Sequence, residues 1–549
     1  MKMNFKKIFS AVAAAAMLSA CVGDLNTIPL NPTDVTSETA YGADEQGYVQ
    51  GLAKIYFQLT SNNTQDLQVA DGGASEFIRA FWSTQEVTAD AAKCAWGDAW
   101  VNDLNNNTWK GDVLNDAVYA VYVRTLQGIA YVNEYLRQTS NDNLDLRGCS
   151  ADVKAKVQQF RAEARFLRAY FYWAAMDTFG QVPFSTENTQ FGGGYNPPQQ
   201  PREYIFNYIV DELEALAADG SAMPAAQSNY PRADKGSVLG LLARVYLNAE
   251  VYAGKEMWAE AKATCEKIYA LGYKLAPTHA ELFRGDNGEN ADAKGEFLFA
   301  ASYDAESNQS YGGTTYLTLS TLSGDDGAIN ITGINGGWAG NRVPYEYVAK
   351  FFTDVKGQNY ETGEYNYTDK RAGYFYIKGR TESMEGNLNT FLNGWSCIKF
   401  NNVPHDMDPV DFAATAATKN FSDIDWPLIR LGEIHLIYAE ACVNLGDAGS
   451  ARTKIEELYN RKEAPAGLTV PATLDDEFFF AERARELMWE AHRRTDLIRY
   501  GKWIEGYNWT YKGGNFGGQN LPEHFNVFPV PSTELATNLD LQQNPGYAK

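Results

Sequence analysis

The stretch ADVKAKVQQFRAEARFLRAYFYWAAMDTF, residues 151–179, predicts a long amphipathic helix and so a mainly helical protein. Apolar side chains recur along it at three- and four-residue steps, at Val157, Phe160, Ala164, Leu167 and Phe171. This spacing places them on one face of an α-helix. Arg165 and Arg168 lie on other faces, where we expect them to pair with carboxylates or helix C-termini.

Similar patterns predict helices on both sides of this stretch. They cover residues 204–217, 235–249 and 258–271, and near the other end 428–445, 448–461, 475–490 and 494–500. Paired short helices with alanine at crossing positions are typical of tetratricopeptide-type hairpins. A generic helical domain is the alternative interpretation.

Two regions lack this periodicity and are rich in Gly, Asn and aromatic residues. We predict one unit over residues 21–549, with a helical scaffold mainly at 40–68, 110–281 and 424–505. Loop-rich binding regions cover 69–109 and 282–423, with short β-like stretches such as 296–300, and an irregular tail covers 506–549. Long loops in a compact protein usually carry function.

The N-terminus has the features of a bacterial lipoprotein signal. Lys2, Lys6 and Lys7 precede a short apolar run at residues 8–18, followed by Leu-Ser-Ala-Cys at 18–21. The run is shorter than the roughly 20 residues that span a bilayer. We therefore predict a signal peptide over residues 1–20 and lipid attachment at Cys21; an ordinary secretion signal is the alternative. The remainder is expected to be soluble.

Composition narrows the class of ligand. The net charge of −22 becomes −25 when the three signal-peptide lysines leave, which disfavours nucleic acid as a partner. Aromatic residues are abundant, with 33 Tyr, 28 Phe and 12 Trp, and suit both cores and sugar platforms. The cysteines other than Cys21 (Cys94, Cys149, Cys265, Cys397 and Cys442) show neither a disulfide framework nor a zinc-site spacing, so we expect buried thiols.

Four groups of motifs and the chain end resemble the SusD/RagB family of outer-membrane glycan-binding lipoproteins. They are FRAEARFLRA at 160–169 with DTFGQVP at 177–183, PRADK at 231–235 with LARVYLN at 242–248, DWPLIRLGE at 425–433 with YAEA at 438–441, REL at 485–487 with RRTDLIRYG at 493–501, and PVP at 529–531 with QNPGY at 543–547. Their order covers nearly all of the mature sequence.

The resemblance implies a fold and a role. The fold is a tetratricopeptide-like helix-pair scaffold bearing a loop-rich, short-strand glycan-binding face. The role is capture of a glycan at the cell surface and its transfer to a SusC-type TonB-dependent β-barrel transporter. Other surface glycan-binding lipoproteins and glycosidases are implied as partners, with the outer membrane reached through the lipid anchor.

The loops look closest to the starch-binding members of the family, which implies an α-glucan of the starch or malto-oligosaccharide type. Carried over by position, Trp96, Tyr311 and Trp338 form a curved aromatic arc. Asp71 and Arg79 would hydrogen-bond sugar hydroxyls, and charged groups make the stronger hydrogen bonds. A different polysaccharide is the alternative ligand.

Two positions depart from the starch-binding pattern. Cys94 stands where that pattern has a second Trp, and Ala99 stands where it has Asn, with Asn102 as the nearest substitute. Trp82 and Trp100 are nearby aromatics that could rebuild the platform.

No cofactor is predicted, apart from a structural calcium ion that the resemblance allows. Starch-binding members can hold calcium near the stretch matching residues 286–290, where one acidic position is Gly288 here. Calcium takes about six to eight oxygen ligands, and Asp286, Glu289 and Asp425 are the weak candidates.

We predict a binding protein and not an enzyme. No GxSxG, HExxH, P-loop or Rossmann motif occurs. A glycoside hydrolase would need two carboxylates across the scissile bond, but 69 acidic residues make such a pair uninformative. A purely protein-binding helical scaffold is the third class, and the aromatic loops disfavour it.

Overall fold

The fold is described from a computed structural model, which covers residues 40–62, 67, 69, 72–190, 196–415, 419–463 and 465–548. Helices dominate it. In chain order they are α1 (Gln46–Thr60), α2 (Phe77–Trp82), α3 (Ala99–Asn106), α4 (Asp116–Gln138), α5 (Asn141–Leu146), α6 (Ala151–Phe179), α7 (Arg202–Ala217), α8 (Lys235–Leu247), α9 (Ala249–Ala253), α10 (Trp258–Ala270), α11 (Ala291–Glu296), α12 (Gly313–Leu319), α13 (Ile329–Thr332), α14 (Tyr345–Phe351), α15 (Pro409–Thr415), α16 (Leu431–Asn444), α17 (Ala448–Tyr459), α18 (Asp476–Glu486), α19 (Arg493–Arg499) and α20 (Ser532–Thr537).

The strands are short and pair two by two, all antiparallel. They are β1 (Lys93–Cys94), β2 (Val182–Pro183), β3 (Gln199–Gln200), β4 (Phe297–Ala301), β5 (Asn341–Arg342), β6 (Lys356–Asn359), β7 (Glu364–Asn366), β8 (Phe375–Tyr376), β9 (Ser396–Cys397) and β10 (Trp426–Arg430). The pairs are β1 with β5, β2 with β3, β4 with β10, β6 with β7 and β8 with β9.

The long helix α6 lies at the centre of the scaffold. Ser150 caps its first turn by accepting a hydrogen bond from the Val153 N–H at 3.3 Å, and the helix ends at Phe179, before Gly180, whose φ is +73°. The prediction of a single apolar face holds only for the first turns of this helix, because nearly every residue from Ala162 to Phe179 is buried. A helix that is buried on all sides belongs to the interior of a protein.

Successive helices of the scaffold pack as neighbours. Contacts run from α1 to α4, from α4 to α6, and on through α7, α8 and α10 to the pair α16 and α17. The predicted ion pairs join this stack: Arg165 donates to both oxygens of Glu212 at 2.9 and 3.0 Å, and Arg168 donates to Glu187 at 2.5 Å. The prediction of a mainly helical, helix-pair scaffold is confirmed.

The helix predicted over residues 428–445 begins later in the structure than the sequence predicts. Residues 426–430 form strand β10, which pairs with the buried strand β4, and the helix predicted from Leu428 begins at Leu431. Pro427 disfavours a helical conformation at the residue before it. The strand pair also packs against α8, where a Cβ on Gly240 would lie 2.7 Å from the Cγ2 of Ile429.

A buried network of charges ties this strand pair to the C-terminal helices. Arg430 donates to both carboxylate oxygens of Glu490 at 2.7 and 2.8 Å, to Glu486 at 2.8 Å and to Glu296 at 3.1 Å. Burial acts to raise the pKa of Glu486, but the adjacent guanidinium groups of Arg430 and Arg461 hold that pKa well below its ordinary value. The network is therefore charged at neutral pH.

Candidate functional site

A short strand pair brings two of the predicted arc residues together. Trp96 follows β1 and Trp338 precedes β5, and these strands align Cys94 with Asn341. The Ala95 N–H continues the pairing by donating to the Gly340 carbonyl at 2.8 Å. Two tryptophans far apart in sequence therefore lie at the same end of one ladder.

Tyr311 completes a pair of rings with Trp338. Their ring centroids are 6.0 Å apart and the planes are inclined by 52°. Tyr311 is 51% exposed, while Trp338 is half-buried. The backbone N–H of Trp338 donates to the Leu319 carbonyl at 2.7 Å, which fixes the Trp338 loop on the end of α12. Two inclined, accessible rings make a curved apolar surface.

Trp96 rests on the core beside this pair. Its half-buried ring meets the buried Tyr316 edge to face, with centroids 5.9 Å apart. Gly340 makes the approach possible: its φ is +113°, and a Cβ there would lie 2.5 Å from the Trp96 Nε1. Only glycine adopts that backbone conformation without strain while leaving room for the indole.

Arg79 lies under the arc and not on its surface. It is 3% exposed, and its guanidinium carbon is 4.3 Å from the Tyr316 ring centroid and 5.6 Å from that of Trp96. This geometry supports Trp96 through cation–π contacts. The direct hydrogen bonding of Arg79 to sugar hydroxyls stays a prediction. Asp71 lies outside the described residues.

Glu76, which sequence reasoning missed, holds the loop that carries Tyr311. Its carboxyl accepts hydrogen bonds from the Tyr303 hydroxyl at 2.6 Å and from the Ser310 hydroxyl. Burial raises the pKa of Glu76 to about 8, although both hydrogen bonds act against the rise. No signal in the sequence connects Glu76 to a loop 234 residues away.

The substitute aromatics proposed for the departures from the starch-binding pattern are core residues. Trp82 is fully buried, with its indole N–H donating to the Trp489 carbonyl at 3.1 Å, and Trp100 is buried as well. The expectation that they could rebuild the platform is wrong, because both rings fill the interior below it. Cys94 is buried too, whereas Ala99 is exposed at the start of α3.

Asn102 remains beside the arc. Its side chain donates to the Gly97 carbonyl at 3.2 Å. The amide of Asn389 approaches the same place, donating to the Ala95 carbonyl at 3.1 Å and the Trp96 carbonyl at 3.4 Å. Two carboxamides therefore border the Trp96 loop, where they can meet hydroxyl groups.

Phe421 is a second residue that sequence reasoning missed. Its ring centroid is 4.9 Å from that of Tyr311. It is one aromatic in a polar stretch, KNFSD at 419–423, and nothing in that stretch marks it as part of the face.

The three weak calcium candidates line one cavity of about 470 Å³. Asp425 accepts hydrogen bonds from the Tyr303 N–H at 2.8 Å and from the Tyr230 hydroxyl, and burial raises its pKa to about 6. Asp286 pairs with His405, Oδ2 to Nδ1, at 2.5 Å, and Glu289 is exposed. Further oxygen-bearing side chains, among them Ser302, Asp304 and Asp423, line the same cavity, and calcium binding by Asp286, Glu289 and Asp425 stays a prediction.

The membrane-related predictions fall mostly outside the described residues. Cys21 and the signal peptide are among the residues that are not described. Of the helices within the described ranges, none combines the length and the apolar character needed to cross a bilayer. The other five cysteines are free and buried, as expected.

Sequence comparison finds relatives over the whole chain. Residues 295–547 match the family model described as "SusD family", and residues 62–247 match that described as "Starch-binding associating with outer membrane". The chain is 30% identical to the starch-binding protein SusD of Bacteroides thetaiotaomicron, over 99% of each chain. It is 25% identical to SusD-like protein P2 of Formosa agariphila, over 88% of this chain and 93% of that one.

Solved structures share the fold. A SusD homolog from Bacteroides thetaiotaomicron superposes with a TM-score of 0.68 at 17% identity, covering 94% of this chain and 99% of its own. The surface glycan-binding protein A from Bacteroides uniformis gives 0.66 at 18% identity, covering 91% and 99%. A laminarin-binding SusD-like protein gives 0.63 at 19% identity, covering 92% and 100%. With the full-length match to a starch-binding SusD, these findings lead to one conclusion: the chain belongs to the SusD/RagB family.

Proposed function

We propose that this protein captures an α-glucan of the starch or malto-oligosaccharide type at the cell surface. The observation that carries the proposal is the accessible ring pair of Tyr311 and Trp338, which adjoins Trp96 at the end of one strand pair. Pyranose rings present CH-rich faces that pack on aromatic rings, and inclined rings follow the curvature of a helical glucan. The starch-binding relative at 30% identity supports the choice of α-glucan.

The surroundings of the rings supply the polar half of the site. Asn102 and Asn389 border Trp96 with amide donors and acceptors, and each sugar hydroxyl exchanges water for such a group with little net gain. Affinity is therefore modest, which suits a protein that passes its ligand on. The proposed role is binding without hydrolysis, at the outer membrane through a lipid on Cys21, with transfer to a SusC-type TonB-dependent transporter.

Retention on insoluble starch tests this proposal, with Tyr311→Ala as the variant. Tyr204 on α7 is a matched control, because it is 46% exposed and lies on the helical scaffold. Loss of a stacked ring that contributes roughly 1–2 kcal/mol weakens binding by about 5–30-fold. We expect Tyr311→Ala to lose retention and Tyr204→Ala to keep it.

Three outcomes contradict different parts of the proposal. Equal retention of the two variants removes the glycan site from this face. Retention of another polysaccharide in place of starch, such as laminarin, contradicts the α-glucan assignment alone. Release of reducing sugar by the purified protein, abolished by substitution of one carboxylate, contradicts the binding role.

A further inference from the structure

The aromatic surface extends beyond the three predicted rings. Tyr311 stands between Trp338, at 6.0 Å, and Phe421, at 4.9 Å and an inclination of 45°. The Phe421 ring is half-buried, and its neighbour Tyr311 is the exposed member of the group. The rings therefore follow one another in the order Trp338, Tyr311 and Phe421.

The segment carrying Phe421 is fastened to both neighbouring loops. The Asn335 N–H donates to the Lys419 carbonyl at 2.8 Å, which ties the segment to the Trp338 loop. The Ser422 N–H donates to the Thr315 hydroxyl at 3.0 Å, which ties it to α12 directly after Tyr311. The position of Phe421 is thus set by the same elements that set the arc, so little ordering entropy is lost when a ligand binds.

Two exposed carboxamides lie on the same segment and its neighbour. The Asn335 amide nitrogen is 3.4 Å from the Asn420 amide oxygen, and both residues are exposed. This single contact leaves the Asn420 NH₂ and the Asn335 carbonyl oxygen for other partners, since each carboxamide has two donors and an acceptor oxygen. The Phe421 ring can pack on the apolar face of a pyranose, and the two carboxamides can form hydrogen bonds with its hydroxyl groups.

We propose that Phe421, Asn335 and Asn420 form a further sugar subsite, next to the one at Tyr311. The inference rests on the proposed function and deepens it, because it assigns a preference for longer chains. A glucan long enough to pass over the three predicted rings, Trp96, Trp338 and Tyr311, reaches Phe421, and its next pyranose unit packs there while its hydroxyls meet the two amides. A short oligosaccharide gains nothing from this subsite.

Chain length separates this role from simple support of the Tyr311 ring. Calorimetric titration compares maltotriose with maltoheptaose on the wild-type protein and on Phe421→Ala. Because one ring faces about one sugar unit, we expect maltoheptaose affinity to fall about 5–10-fold, an effect of roughly 1 kcal/mol, with little change for maltotriose. Asn420→Ala should lower only the maltoheptaose affinity, by a smaller factor.

The matched control is Phe57→Ala, because Phe57 is 47% exposed on α1 and forms no part of the arc. An equal loss for both oligosaccharides in Phe421→Ala assigns the ring to supporting Tyr311 and overturns the subsite. Unchanged affinity for both also overturns it, while the glycan-binding proposal stands if Tyr311→Ala loses retention. If the wild-type protein retains a different polysaccharide, the same comparison is made with the tri- and heptasaccharide of that polysaccharide.

Discussion

Stability should depend on the protonation of Glu76, and Glu76→Gln should remove that dependence. The native carboxyl has a pKa of about 8 because it is buried, while the ordinary value is 4.5. Between these two values the unfolded chain releases a proton that the native protein keeps. The stabilisation is therefore fully present below about pH 4.5 and is lost as the pH rises through about 8.

The magnitude follows from the width of this window. Each pH unit inside it lowers the free energy of unfolding by about 1.4 kcal/mol, so the change between pH 5 and pH 8 amounts to about 3–4 kcal/mol. For a chain of this length the corresponding fall in Tm is about 3–4 °C. Glutamine keeps the shape of the side chain and can still accept a hydrogen bond from Tyr303. Between pH 5 and pH 8, the Tm of Glu76→Gln should therefore fall by about 3–4 °C less than that of the wild-type protein.

Differential scanning calorimetry at constant ionic strength, from pH 5 to pH 8, measures the difference between the two proteins. Burial also raises the pKa of Glu86 to about 8, so this group too lowers the stability as the pH rises. Burial lowers the pKa of Lys93 to about 7, and this group raises the stability as the pH rises. Both groups are unchanged in the variant, so they cancel in the comparison. The exposed Glu361→Gln is the control. Parallel Tm curves for wild type and Glu76→Gln would refute the reasoning.

Two further results are expected from the charged groups. Arg430→Met should lower the free energy of unfolding by about 3–5 kcal/mol, because it leaves buried carboxylates without their partner; Lys156→Met, at an exposed ion pair with Glu45, should cost at most about 1 kcal/mol. Urea denaturation measures both, and equal losses would contradict a buried, charged network. Added calcium should raise the Tm relative to a chelator, and Asp286→Asn should abolish the rise, because the predicted ligands Asp286, Glu289 and Asp425 line one cavity. Equal Tm values in calcium and in the chelator would contradict the calcium prediction.

The sequence was most informative where a short-range pattern carries the structure. Periodicity within residues 151–179 identified the central helix, since helical spacing depends on residues only three or four positions apart. Motifs in order along the chain pointed to the family, and the loops between them pointed to Trp96, Tyr311 and Trp338. The helical spacing also placed Arg165 and Arg168 off the apolar face, where they were expected to pair with carboxylates. It did not identify the partners, which are Glu212 and Glu187.

Only the tertiary structure decided which aromatics face solvent and what holds them there. Trp82 and Trp96 look alike in sequence, but one fills the core and the other lies beside an accessible ring pair. The contacts of Glu76 with Ser310 and of Phe421 with Tyr311 join segments more than a hundred residues apart. Such contacts depend on how the loops are folded over the helices, and no local pattern encodes them. The chain itself therefore determined the helical scaffold and the residue types of the proposed sugar platform, and long-range packing decided which aromatic side chains lie at that face.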